Sequence, residues 1–164
     1  METTNHECYV SLEVAKLLKE AGFDWECSGH WVETNKNNEA ALLALPSEPC
    51  LYDLSIVDVG NSSLGCICTI QDWNSAKDEN GFQFYYSAPT LEVAQRWLRE
   101  VKNISVYISS TRYSYYEYVI RKINQLNYSD NTILALTTGM FYTYEDAQES
   151  GIKNALEIIL KKGE

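Results

Sequence analysis

Apolar residues recur at helical spacing in three places along this chain, and each stripe opens on the same short pattern: a hydroxyl residue, Glu two positions later and Ala four positions later. The copies are Ser11-Leu12-Glu13-Val14-Ala15, Thr90-Leu91-Glu92-Val93-Ala94 and Thr143-Tyr144-Glu145-Asp146-Ala147. Each predicts a helix start, because the hydroxyl accepts from the orphan amides of the first turn and the early carboxylate sits at the positive end of the dipole. In the first helix Leu12, Ala15, Leu18 and Ala21 form the stripe, widened by Val14 and Leu17, with Lys16, Lys19 and Glu20 left to water. Gly22 is a left-handed stop. The second helix runs from Thr90 to about Lys102 on Leu91, Ala94, Leu98 and Val101, broadened by Val93 and Trp97. In the third, Tyr144, Ala147, Gly151, Ala155 and Ile158–Ile159 face one way, and the small residues among them permit close packing on a sheet.

Between and before these helices the period changes to two. ISVYIS (104–109), a turn at SSTR and then YSYYEYVIRKI (113–123) predict an antiparallel pair, and TILALTT (132–138) a third strand, with Gly139 a turn or bulge. In the middle strand Tyr113, Tyr115, Glu117, Val119 and Arg121 share one face and Tyr116, Tyr118 and Ile120 the other. One face is core and one is exposed, and the pattern does not say which. In the first half, FDWECSGHWV reads as one or two short strand pieces, ETNKNNE as a loop, and LYDLSIVDVG, LGCICTIQDW and GFQFYY as strands. EAALLALP fits either a helical turn or a buried strand. Together these predict a single α+β domain over 1–164, with a mainly antiparallel sheet and about three helices packed largely on one face. The like starts SLEVAKLL and TLEVAQRWL also suit a duplicated helix–strand unit over 9–86 and 87–164, although shared capping alone produces that likeness.

Composition narrows the class. With 164 residues, 45% of them hydrophobic, four Trp and twelve Tyr, the chain can build a real core and is not a disordered segment. It has no apolar run of about 18 residues, and METTNHECYV lacks the basic and apolar parts of an export signal, so no membrane span and a cytoplasmic location are expected. The five cysteines, an odd number at irregular spacing, fit reduced thiols in that compartment. The net charge of −10 lies wholly in residues 1–86, while 87–164 is neutral and holds all four arginines within 26 positions. Such acidity disfavours direct nucleic-acid or anionic-membrane binding.

SAPTLEVAQRWLREV, FYTYEDAQESGIKNALEIIL and YVSLEVAKLLKEAGFDWEC carry a resemblance. With a SAPT-x-E-x-A-x-x-WLRE-like motif, the chain resembles a family of short, uncharacterised accessory proteins carried on prophages and other mobile elements. The likeness covers about 55 residues and leaves 33–86 untouched. It implies a mobile-element setting, and it brings no activity, ligand or catalytic residue to these positions.

Candidate chemistry is sparse. Every Cys and His lies in residues 6–68, as His6-x-Cys8, Cys27-x-x-His30, Cys50 and Cys66-x-Cys68. Zinc takes such ligands, but no paired C-x-x-C text frames them, so no metal and no cofactor are assigned. Cys27 and His30 are close enough for a thiol–imidazole pair, yet no oxyanion loop accompanies them, and GNSSLG is not a G-x-S-x-G elbow. The binding candidate is the arginine–tyrosine segment: Arg96, Trp97 and Arg99 on the middle helix, and Arg112, Tyr113, Tyr115 and Arg121 on the hairpin after it. Guanidinium forks suit phosphate or carboxylate, phenol rings suit stacking, and Arg96 and Arg99, three apart on a helix, can meet on one anion. The expected function is therefore noncatalytic binding in a mobile-element accessory or counter-defence role, with capture of a small anionic or nucleotide-like ligand as its sharper form. One alternative is an acidic inhibitor of a host protein working through Glu33, Glu39, Glu48, Asp53 and Asp58; a second is a small metal- or Cys-dependent enzyme. A solvent-facing tyrosine strand also leaves a homodimer open.

Overall fold

A computed structural model describes residues 8–27, 29–33, 40–43, 51–53, 65–67, 72–75, 85–111, 113–123, 132–137 and 139–161. It is an α+β structure with antiparallel sheets, in which the chain forms two compact units, one of residues 11–89 and one of residues 1–10 with 90–164. All three predicted caps form. Ser11 Oγ accepts from Val14 N and Thr90 Oγ1 from Val93 N, each at 3.4 Å, and Thr143 Oγ1 accepts from Asp146 N at 3.1 Å.

The unit of 11–89 opens with α1 (Leu12–Glu20), which buries Val14, Ala15 and Leu18 and ends at Gly22, whose φ of +83° is the predicted left-handed stop. Strands β1 (His30–Glu33), β2 (Ala40–Leu43) and β5 (Tyr85–Ser87) form one antiparallel sheet in the order β2-β1-β5, with Trp31 between Leu42 and Tyr86. The ambiguous EAALLALP segment is thus extended where it is described. Strands β3 (Leu51–Asp53) and β4 (Gly65–Ile67) pair separately, and α1 packs on β5.

The other unit holds α2 (Leu91–Val101), β6 (Ile104–Ser110), β7 (Tyr116–Lys122), β8 (Ile133–Leu136) and α3 (Tyr144–Lys161). Its sheet is the predicted meander, β6-β7-β8, with Val106 opposite Ile120 and Val119 opposite Leu136. The N-terminal segment belongs here too: Tyr9 bridges Thr90, and Leu91 N donates to Cys8 O at 2.9 Å. Asn103, at φ 55°, lies between α2 and β6, a left-handed position that Asn tolerates better than most side chains.

Burial decides the face that the text left open. Ile104, Val106, Tyr118 and Ile120 are buried, whereas Tyr107 and Arg121 are exposed. Since side chains alternate along a strand, both helices lie on the Val106–Tyr118 side. The contact is close because α3 presents Ala147, Gly151 and Ala155, as the spacing predicts. Buried beside them are Gln148, Ile152 and Leu156, which that stripe does not include, while Tyr144 is exposed. A Cβ built on Gly151 would stand 2.5 Å from Val106 Cγ1 and 3.1 Å from Tyr118 Cγ. Gln148 then donates from Nε2 to Gln95 Oε1 at 2.9 Å, and Gln95 donates to Val106 O, tying α3, α2 and β6 together.

Because that backbone approach leaves no room for a methyl group, Gly151→Ala is expected to destabilise this unit by about 1–3 kcal/mol despite its better helix propensity. Denaturant unfolding followed by Trp fluorescence measures this, and a variant as stable as the parent would show that α3 shifts freely.

Candidate functional site

The arginine–tyrosine segment is divided by the sheet. Arg96 and Arg99 project from the outer side of α2 and meet on an anion supplied by the chain itself: Arg96 Nε lies 2.8 Å, and Arg99 Nη2 3.8 Å, from Glu100 Oε1. Exposed pairs of this kind stabilise little, roughly 0–1 kcal/mol. Trp97, between them in sequence, is fully buried under α2, with Lys102 Nζ 5.0 Å from its ring centroid. Arg121 stands on the face of β7 that turns away from both helices, 5.5 Å from the centre of the Tyr107 ring. Arg112 lies outside the described residues. The expected convergence in one hollow is therefore not what the geometry holds for Arg121, because Arg96 and Arg99 are separated from it by the thickness of the sheet.

Tyr115 follows the alternation of β7 onto the Arg121 side, Tyr113 is exposed in the turn before it, and they have company that the text did not single out. Tyr116 and Phe141 exchange two backbone hydrogen bonds, and Thr137 N donates to Tyr118 O. Met140 is exposed, and Tyr142 stands edge-on to Tyr115, with ring centroids 5.3 Å apart at 68°. Tyr113 and Tyr142 are each 79% exposed. Further along the same face, Tyr107, Val119 and Leu136 form one cross-strand row, with Leu136 60% exposed, and Ile133 is beside Arg121 in the next. The signal for Leu136 and Ile133 was present in the alternation of TILAL, but its phase could not be set without knowing which side the helices cover.

The Cys–His pair sits in the other unit. His30 is buried and stacks on Trp73, with ring centroids 3.8 Å apart and 19° between planes, and Tyr85 meets it edge-on at 5.9 Å. Trp73 Nε1 donates to Cys27 O at 3.0 Å, and Cys27 Sγ donates to Gly29 O at 3.2 Å. Burial pushes the Cys27 thiol up to about 11, and burial, with Glu145, Glu92 and Glu149 nearby, raises Cys8 as well. Both described thiols are thus protonated at neutral pH, the unreactive form. Among the described residues no group of three or more His, Cys, Asp or Glu could hold a metal. His6, Cys50, Cys68, Ser62, Ser63, Glu39, Glu48 and Asp58 lie outside the described residues. The side chains of Glu33, Asp53 and Cys66 are likewise undescribed.

No family model matches the chain, and neither a curated protein nor a solved structure is significantly similar to it. Among the described residues no helix is long and apolar enough to cross a membrane.

Burial lowers His30 from the ordinary 6.5 to about 4, and its Nδ1 has no hydrogen-bond partner among the described residues. The unfolded chain therefore takes up this proton first as pH falls. The stability that neutral His30 contributes is complete above pH 6.5 and is lost on the way down to about pH 4. Between about pH 7.5 and about pH 5 the loss is about 2 kcal/mol. His30→Phe, which keeps a ring against Trp73, is expected to remove that part of the pH dependence. Urea unfolding at the two pH values tests it, and identical pH dependence in parent and variant would contradict the assignment.

Proposed function

We propose that this chain is a noncatalytic protein-binding module, acting in the cytoplasm in a mobile-element accessory or counter-defence role, and that it engages a host protein through the tyrosine end of the β6–β8 sheet. One observation carries the reading: Tyr142 stands against Tyr115 where Phe141 bridges the start of β7, and Tyr142, its neighbour Met140, and Tyr113 in the turn before β7 are all exposed. Tyrosine and methionine are enriched where proteins bind one another, since a ring or a thioether offers a large contact area for few frozen rotors. The Tyr115–Tyr142 pair is held by the Tyr116–Phe141 bridge, so part of the ordering is done before a partner arrives. Capture of a small anion has weaker support, because Arg96 and Arg99 already share Glu100 and Arg121 lies on the other side of the sheet. Among the described residues of the hairpin, Arg121 and the neighbouring Lys122 do not make the basic track along the backbone that a nucleic-acid platform needs.

Quantitative capture from host-cell extract on the immobilised chain tests this. A specific partner is expected to be retained by the parent and by Arg96→Ala/Arg99→Ala, and to lose at least about 30-fold in affinity with Tyr113→Ala/Tyr142→Ala, the size of a lost tyrosine anchor. Undiminished capture by the tyrosine variant would overturn the reading. So would nucleotide-induced thermal stabilisation that disappears in the arginine variant.

A further inference from the structure

Glu117 and Arg121 stand on the open face of β7, two positions either side of Val119, and neither forms an ion pair among the described residues. Glu117 accepts from Ser109 Oγ at 3.3 Å, and Arg121 rests over Tyr107. Four residues of extended chain put them about 13 Å apart, too far to pair with each other. The apolar row of Tyr107, Val119 and Leu136 crosses the sheet between them.

This arrangement is self-complementary. Consider two copies stacked open face to open face, related by a two-fold axis that lies between the sheets, perpendicular to the strands and over Val119. The operation lays β7 antiparallel on its copy, sets the Tyr107–Val119–Leu136 row against itself, and carries each Glu117 over the other copy's Arg121. An axis along the strands would instead oppose Glu117 to Glu117 and Arg121 to Arg121, so the charges select one of the two face-to-face symmetries. Sheets packed this way lie about 10 Å apart, a gap that a Glu and an Arg side chain reaching from opposite sides can span.

We propose that the open face of β6–β8 binds a second copy of this chain, with Val119 next to the two-fold axis and two Glu117–Arg121 pairs flanking it. This goes beyond the host-binding reading and does not rest on it: Tyr113 and Tyr142 lie past the Glu117 row, at the rim of the contact. The footprint is roughly 14 Å by 20 Å from strand spacing and rise, far below the ~800 Å² per partner of tight complexes. The dimer is therefore weak and reversible.

The test is sedimentation of the full chain over about 10–500 µM, a range chosen for a contact of this size. The parent is expected to associate with rising concentration, and less so at high salt. Glu117→Arg makes the face doubly positive and Arg121→Glu makes it doubly negative, so each variant alone is expected to lose at least tenfold in self-affinity. An equimolar mixture of the two is expected to associate again. Leu136→Asp, which spoils the apolar row, is expected to remove association in any charge background, with circular dichroism and melting confirming that each variant folds. A parent that stays monomeric throughout, single variants that associate as the parent does, or a mixture no better than its components would each overturn the proposal. Host capture through Tyr113 and Tyr142 is measured separately, so either reading can fail while the other stands.

Discussion

The close approach of α3 to the β6–β7 pair is the constraint on which the rest of this unit depends. With no Cβ at Gly151, the helix backbone comes down onto Val106 and Tyr118, and the neighbouring contacts follow. Ala147 and Ala155 extend the flat strip, and Asn154 Nδ2 donates to the Tyr118 hydroxyl at 3.0 Å, which gives that buried ring a partner for its polar end. Gln148 and Gln95 carry the connection to the carbonyl of Val106 on the outer strand of the sheet. Once one side of β7 is committed to the helices, the pleat commits the other side to solvent, and Tyr115, Glu117, Val119 and Arg121 are presented there together.

That commitment changes what the arginine-rich segment can do. In one dimension Arg96, Arg99 and Arg121 lie close to a run of tyrosines and suggest a cradle for an anion. In the folded unit the sheet stands between them, and α2 answers its own guanidinium groups with Glu100. What collects on the open face, among the described residues, is the aromatic and aliphatic row of Tyr107, Val119 and Leu136 with Glu117 and Arg121 either side of it.

Much of the architecture was legible because it rests on local physics. The three caps act within four residues of chain, so the hydroxyl–Glu–Ala pattern located every described helix start. The strands after Lys102 were legible because period-two alternation survives wherever one face is dry. Trp97 illustrates the limit: between two arginines it looks like part of a binding patch, but its helical phase matches Ala94 and Leu98 and it belongs to the core. His30 and Trp73 are 43 positions apart, and nothing in the text between them announces that their rings stack. EAALLALP was ambiguous because so short an apolar run carries too little periodicity to separate the two states; its described part is extended because β1 offers it a ladder.

By itself the sequence determined where helices begin, which residues alternate along β6, β7 and β8, and that the excess negative charge lies in the first half of the chain. These are properties of neighbours in the chain, set by capping, side-chain period and composition. Only the tertiary structure decided which side of β7 is core, that Arg96 and Arg99 stand on the other side of the sheet from Arg121, and that Tyr142 stands against Tyr115. Alternation fixes a pattern only up to a swap of its two faces. Removing that freedom takes a contact from a distant residue, and here it is the backbone of α3 at Gly151 pressed against Val106 and Tyr118.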